Sequence, residues 1–196
     1  TRNSHTGVLG AFRAFSFAEG VSAILARRET AGRDKPAPAP MTGGGWQGTA
    51  IAPADLIQPE TRDAYAVWQA RRNTRRMPSR ADMTPRAMKT FLRFIALTEI
   101  VDGGKDFRFR VVGEGIASKQ KLPLIGKTLT EVDQMVPGFG TFLRDLYQQT
   151  VQKRDALAYR GTYVQKADRH SFTYEAIIVP LGNEGETPAP ALVVSA

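Results

Sequence analysis

The chain has 196 residues, 42% hydrophobic and 23% charged, enough to bury a sizeable core, and carries a formal net charge of +8. It has no Cys, which removes disulfides, thiolate zinc sites, iron–sulfur clusters and a cysteinyl–flavin adduct. No apolar run approaches the roughly 18 residues that suggest a membrane span, so no membrane association and a cytoplasmic setting are the expectations.

In chain order, "SFAEGVSAILARR" sets Ser16 and Glu19 at capping-box spacing ahead of Val21, Ile24 and Leu25 on one helical face. This predicts a short amphipathic helix over 17–28 within an N-terminal segment, 1–29. Its apolar stripe has no core of its own, which makes it the candidate contact for a homodimer or a partner. Residues 30–59 hold five Pro and five Gly and read as a linker, with Trp46, Ile51, Leu56 and Ile57 as points where parts of it can dock.

The texture changes after that, and residues 60–196 read as the folded domain. "TRDAYAVWQARRNTRR" has Ala64, Tyr65, Val67, Trp68 and its arginines at helical spacing, ended by Pro78. "MTPRAMKTFLRF" restarts a short helix with Thr84 as N-cap and Pro85 at the first position. "FIALTEIV", the turn "DGGKD" and "FRFRVVG" form a hairpin whose second strand buries Phe107, Phe109 and Val111. Residues 114–137 give only small helical turns. "GFGTFLRDLYQQTVQKR" repeats Phe139, Phe142, Leu143, Leu146, Tyr147, Thr150 and Val151 at three and four, an amphipathic helix ending near Arg154. "LAYRGTYVQ", "HSFTYEAIIVPL" and "ALVVSA" are strands; Pro180 cannot donate to a ladder, so the middle one ends there or leaves that position unpaired. The order predicts an α+β domain with a five-stranded antiparallel sheet.

The order also resembles that of PAS domains, and the residues carry the likeness further. Trp68 with the basic stretch after it, "PSRADMTP" at 78–85, "FRFRVVGEGI" at 107–116, "IGKTLTEV" at 125–132 and "YEAIIVPL" at 174–181 resemble the PAS_5-type family of PAS domains, found mainly in alphaproteobacteria. The family-motif positions are Trp68, Pro78, Arg80, Asp82, Pro85, Arg110, Gly113 and Gly126. Two places depart from the pattern: Glu114 stands where a small hydroxyl residue is common, and "SKQKLPL" at 118–124 is unusually basic. The resemblance implies a PAS fold with helices packed on one face of the sheet and a bacterial sensory or regulatory module. Such a module binds a small molecule or a signalling protein and has no reaction of its own.

The candidate ligand-binding residues are Phe139, Phe142, Leu143, Leu146 and Tyr147 of the long helix, facing Tyr159, Tyr163, Phe172 and Tyr174 of the strands; buried tyrosine hydroxyls need partners. Eight basic residues between Arg71 and Arg93 stand against one acid, Asp82, and leave 19 bases and 18 acids elsewhere. The alternative reading is therefore an anion-binding protein using the patch 71–93 on nucleic acid or a cyclic dinucleotide. Nucleic acid is disfavoured, since the usual reader motifs are missing. Asp82 is expected to hold its turn by accepting backbone N–H groups or pairing with Arg80, Arg108 or Arg110. His5 and His170 stand apart from any acid/base constellation, so no catalytic or metal residue is assigned, and haem and metal are disfavoured while the ligand stays open.

Overall fold

In the computed structural model the described residues are 41–43, 45–164, 171–182 and 189–195. The helix expected at 17–28, with the dimer contact assigned to it, lies outside them, as do His5 and His170. The described residues carry β1 (Met41–Gly43), β2 (Trp46–Ile51), α1 (Pro59–Arg72), β3 (Ile95–Val101), β4 (Asp106–Val112), α2 (Glu114–Gln120), α3 (Leu129–Met135), α4 (Phe139–Lys153), β5 (Leu157–Val164), β6 (Ser171–Leu181) and β7 (Ala189–Ser195). One antiparallel sheet runs in the order β1-β2-β5-β6-β7-β3-β4. The five expected strands, β3 to β7, form its PAS-like portion, and the β1–β2 hairpin extends it beyond β5.

Part of the segment assigned to a linker is therefore sheet. Trp46–Ile51 pairs with β5 along its whole length, from Trp46 opposite Tyr163 to Ile51 opposite Ala158. Gly48 and Gly161 lie directly opposite each other, so the two backbones approach closely, and a Cβ on Gly161 would sit 2.0 Å from the Gln47 carbonyl oxygen. The glycines that read as looseness instead permit a tight pairing.

Both faces of the sheet are covered, whereas the helices were expected on one. Ala96, Tyr159, Ala176 and Ile178 point toward α2, α3 and α4, while Ile95, Leu97, Ala158, Ile177 and Val179 join Trp68 of α1 and Met77, Met83 and Phe91 in a second core. The reason is in the sequence of β3 and β6: "IAL" and "AIIV" are apolar at consecutive positions, and a strand without alternation is buried on both sides.

Three local expectations change. α1 stops at Arg72, where Asn73 takes a φ of 53°, so Arg75 and Arg76 do not continue its helical face. Thr84 does cap a turn, accepting from the Ala87 N–H at 3.2 Å, but the segment after it continues as turns into a short 3-10 helix, Leu92–Phe94, rather than a regular α-helix. In β4, Thr98 faces Phe109 and Leu97 faces Val111, which leaves Arg110 as an extra, unpaired residue. That bulge turns Val111 outward, 41% exposed, and lets Val112 pack inward in its place. Pro180 behaves as its chemistry requires: the β6–β7 register shifts between Val179 and Leu181, so its missing N–H is never needed.

The strands are tied to α1 by one buried carboxylate. Glu175, 2% exposed, accepts from the backbone N–H of Ile57 and Gln58 at 3.1 and 3.0 Å, from the Thr61 hydroxyl, and from Arg160 at 2.6 Å. Burial works to raise its pKa, but the hydrogen bonds from Thr61, Arg160, Gln58 and Ile57 outweigh it and hold the pKa below the usual glutamate value. A pKa depressed by folding means stability that is present above the unfolded-state value, about 4.3, and lost as pH falls through the folded-state value. Glu175→Gln is expected to lower unfolding free energy at pH 7 by about 2 kcal/mol, since Arg160 is partly exposed. It should also flatten the acid limb of a urea-stability profile against pH. An unchanged acid limb would show that Glu175 is not the group responsible.

Candidate functional site: a cavity between α4 and the sheet

α4 begins at Gly138, whose φ of 88° turns the chain into the helix, and presents its three-and-four stripe to the sheet. Phe139, Phe142, Leu143, Leu146 and Tyr147 line one side of a cavity of about 80 Å³, and Tyr159 of β5 and Tyr174 of β6 line the other. Such a space holds several waters or one end of an organic molecule, a single water centre needing about 10–15 Å³. Tyr163 and Phe172, assigned to the same group, lie farther out. They border a wider space of about 360 Å³ that shares Trp46, Phe139, Lys119 and Gln120 with the inner one.

Trp46 is the residue that sequence reading left out of the site. From β2 it stacks on Phe139 at 4.6 Å and Tyr163 at 4.4 Å, and meets Tyr174 edge-on at 5.1 Å. Its signal was an aromatic side chain inside a Gly- and Pro-rich stretch, next to residues that pair with β5. Ala96, Phe109, Ala176 and Ile178 also reach the cavity wall; their strands were recognised, but not which of their side chains faces α4.

The walls are apolar except for a few donors, and these are unusual. Trp46 Nε1 and the hydroxyls of Tyr147 and Tyr174 are buried and have no hydrogen-bond partner among the described residues. Tyr159 differs, donating to the Gly48 carbonyl at 2.6 Å. Burial pushes the Tyr147 phenol well above its ordinary pKa, and burial with the neighbouring Tyr159 does the same for Tyr174. Both stay neutral and able to donate across the physiological range. A buried polar group without a partner costs about 1–3 kcal/mol, so three on one cavity call for an explanation other than packing.

None of the family-motif residues lines this cavity; they brace the frame around it. Trp68 is fully buried and donates to the Pro180 carbonyl at 2.9 Å, on the bulge of β6, and the Pro78 carbonyl accepts from Gly182 at 3.0 Å. A Cβ on Gly113 would stand 2.3 Å from the Arg93 carbonyl oxygen, and Gly126 takes a φ of 82°. Pro85 and Arg110 are exposed.

The basic stretch is partly neutralised from within. Asp82 accepts from the Ser79 hydroxyl and N–H at 2.7 and 2.8 Å and pairs with Arg75 at 2.7 Å. The Ser79 hydroxyl, the Arg75 guanidinium and the Ser79 N–H together lower its pKa to about 2. The partners expected for Asp82 are engaged elsewhere. Arg80 donates to the Met83 carbonyl, and Arg108 and Arg110 meet Glu99 at 3.4 and 3.6 Å, because the 78–85 turn closes on itself and receives Arg75 from beyond α1. Arg72 stands 5.2 Å over the Trp68 ring, and Arg93 pairs with Glu114 at 2.7 Å. Among the described residues no group of three or more His, Cys, Asp or Glu could hold a metal ion, and no helix is long and apolar enough to cross a membrane.

A family model described as a PAS domain, PAS_5, matches residues 56–193, more than half of the chain. No curated protein and no solved structure matches. The match begins after β2, so Trp46 and the hairpin that carries it lie outside it.

Removing an unpartnered hydroxyl removes its cost. Tyr147→Phe is expected to leave the fold intact and to raise unfolding free energy in urea by about 1 kcal/mol. A loss of similar size would show that the hydroxyl is already satisfied in the ligand-free protein.

Proposed function

The chain belongs to the PAS-domain family, whose members are typically sensory, non-catalytic modules, and on that premise we propose that it senses a small molecule held between α4 and the sheet and passes its occupancy to a signalling partner. The observation that carries this reading is the set of unpartnered donors, Trp46 Nε1, Tyr147 OH and Tyr174 OH, around one cavity. A ligand that supplies acceptors recovers their hydrogen bonds in a space from which water is largely excluded, where such bonds are strong.

The route outward starts in the same strands. Tyr174 faces the cavity and Glu175, next in β6, holds the start of α1 on the opposite side; Tyr159 and Arg160 repeat that arrangement in β5, with Arg160 opposite Glu175 in the register. A ligand that shifts the tyrosines therefore acts on the strands that anchor α1. Four basic residues of the 71–93 patch, Arg72, Arg75, Arg80 and Arg93, are occupied by internal partners, which leaves the cavity better supported than the patch as the input.

Native mass spectrometry of freshly purified protein is expected to show a non-covalent adduct of small mass. Ala176→Leu, which adds side-chain volume at a buried wall position, should fold and lose it. Absence of an adduct from the unaltered protein, or equal occupancy in Ala176→Leu, counts against a ligand in this cavity.

A further inference from the structure

The mouth of the cavity carries charge that the interior lacks. Lys119 and Gln120, at the end of α2, border both the inner cavity and the wider space, and Lys121 borders the wider one. Among the described residues neither lysine lies within ion-pair distance of a carboxylate; the Lys119 ammonium instead stands 5.8 Å from the centre of the Phe94 ring. Acids of the adjoining elements are engaged elsewhere: Glu114 with Arg93 at 2.7 Å, Glu131 with Lys127 at 2.9 Å, and Asp133 with the Thr141 N–H at 2.8 Å. These lysines belong to the basic stretch "SKQKLPL", one of the places where the sequence departs from the pattern it resembles.

Size and polarity then divide the site in two. The inner part, about 80 Å³, is smaller than the engineered apolar cavity of about 150 Å³ that accommodates benzene, so it admits only the end of a molecule. A carboxylate driven into that apolar end would lose its hydration without an ionic partner. At the mouth it meets two ammonium groups, beside the Trp46 ring, which lines both spaces. We propose that the ligand is a small amphipathic anion. A short apolar end sits against Phe142, Leu146 and Tyr147, and a carboxylate at the mouth engages Lys119 and Lys121. This rests on the cavity being the ligand site. Short and long-chain acids share the chemistry, and the size of the inner space selects the short ones.

The test is isothermal titration of the full chain with hexanoate and butanoate, against 1-hexanol and 1-butanol as neutral counterparts and hexylamine and butylamine as cationic ones. The acids are expected to bind about tenfold tighter than the alcohols, a difference of the size of one charge-assisted hydrogen bond, with the amines weakest. The double variant Lys119→Gln/Lys121→Gln should erase the difference between acid and alcohol, and Lys119→Arg/Lys121→Arg should keep it. Alcohols that bind as tightly as the acids, or a preference that survives in the Gln variant, overturn the anionic assignment and leave the cavity as a ligand site. Dodecanoate binding more than about tenfold tighter than hexanoate overturns the restriction to short ligands, since each added buried CH₂ contributes binding only where it finds a place. Failure of all six small compounds to bind overturns the cavity reading together with this one.

Discussion

Strand β6 is the wall on which the rest of the domain depends, because it serves two cores at once. Tyr174, Ala176 and Ile178 face the cavity, while Ile177 and Val179 face the core under α1. Its neighbours on either side, β5 and β7, fix its register. A strand buried on both faces cannot slide by one residue without exchanging its two sets of side chains, and here that slip would drive Glu175 into the cavity and Tyr174 into the N-terminus of α1. The buried carboxylate and the apolar positions thus enforce the same register from opposite sides.

The residues that carry the family resemblance make sense in this light. Trp68 reaches the Pro180 carbonyl, where the β6–β7 register shifts, and the Pro78 carbonyl receives the N–H of Gly182 just past the strand's end. Both contacts hold the distal end of β6, as Glu175 holds its middle. Gly113 closes on the Arg93 carbonyl ahead of α2, and the Gly126 N–H donates to the Phe109 carbonyl of β4 at 2.8 Å. These motif positions hold the frame, while the matching stretches at 107–116 and 174–181 also carry the cavity-wall residues Phe109, Tyr174, Ala176 and Ile178; a match over 56–193 establishes the family and leaves the ligand to be argued from the cavity.

The legible and illegible parts of the sequence follow the same division. Strands and the long helix stand out where periodicity is strong: the repeat from Phe139 to Val151 gives α4, and through it five of the cavity positions. Two kinds of feature do not announce themselves. One is a break in alternation: nothing in "FRFRVVG" marks Arg110 as the extra residue, since a bulge is decided by the partner strand. The other is β2, where Gly48 and the glycines before it suggest a linker. Their meaning appears only once β5, with Gly161 opposite Gly48, is set beside them. Long-range pairing is a property of two segments, and Trp46 could be placed at the cavity only through its partner Tyr163.

The position of Trp46 bears on how specificity arises in this domain. The family portion supplies a cavity bounded by α4 and β6; the hairpin before it supplies the aromatic ring that narrows the opening and one of the three free donors. Buried donors held without partners are a cost to the protein, and for the proposed ligand that cost is recovered only where it brings acceptors to them. An apolar molecule of the right size fills the space yet leaves the donors unsatisfied, whereas one with acceptors gains the difference. On the proposed reading of the cavity as a ligand site, selectivity comes less from the apolar walls, which hold the fold in any case, than from the few polar atoms that those walls leave unpaired.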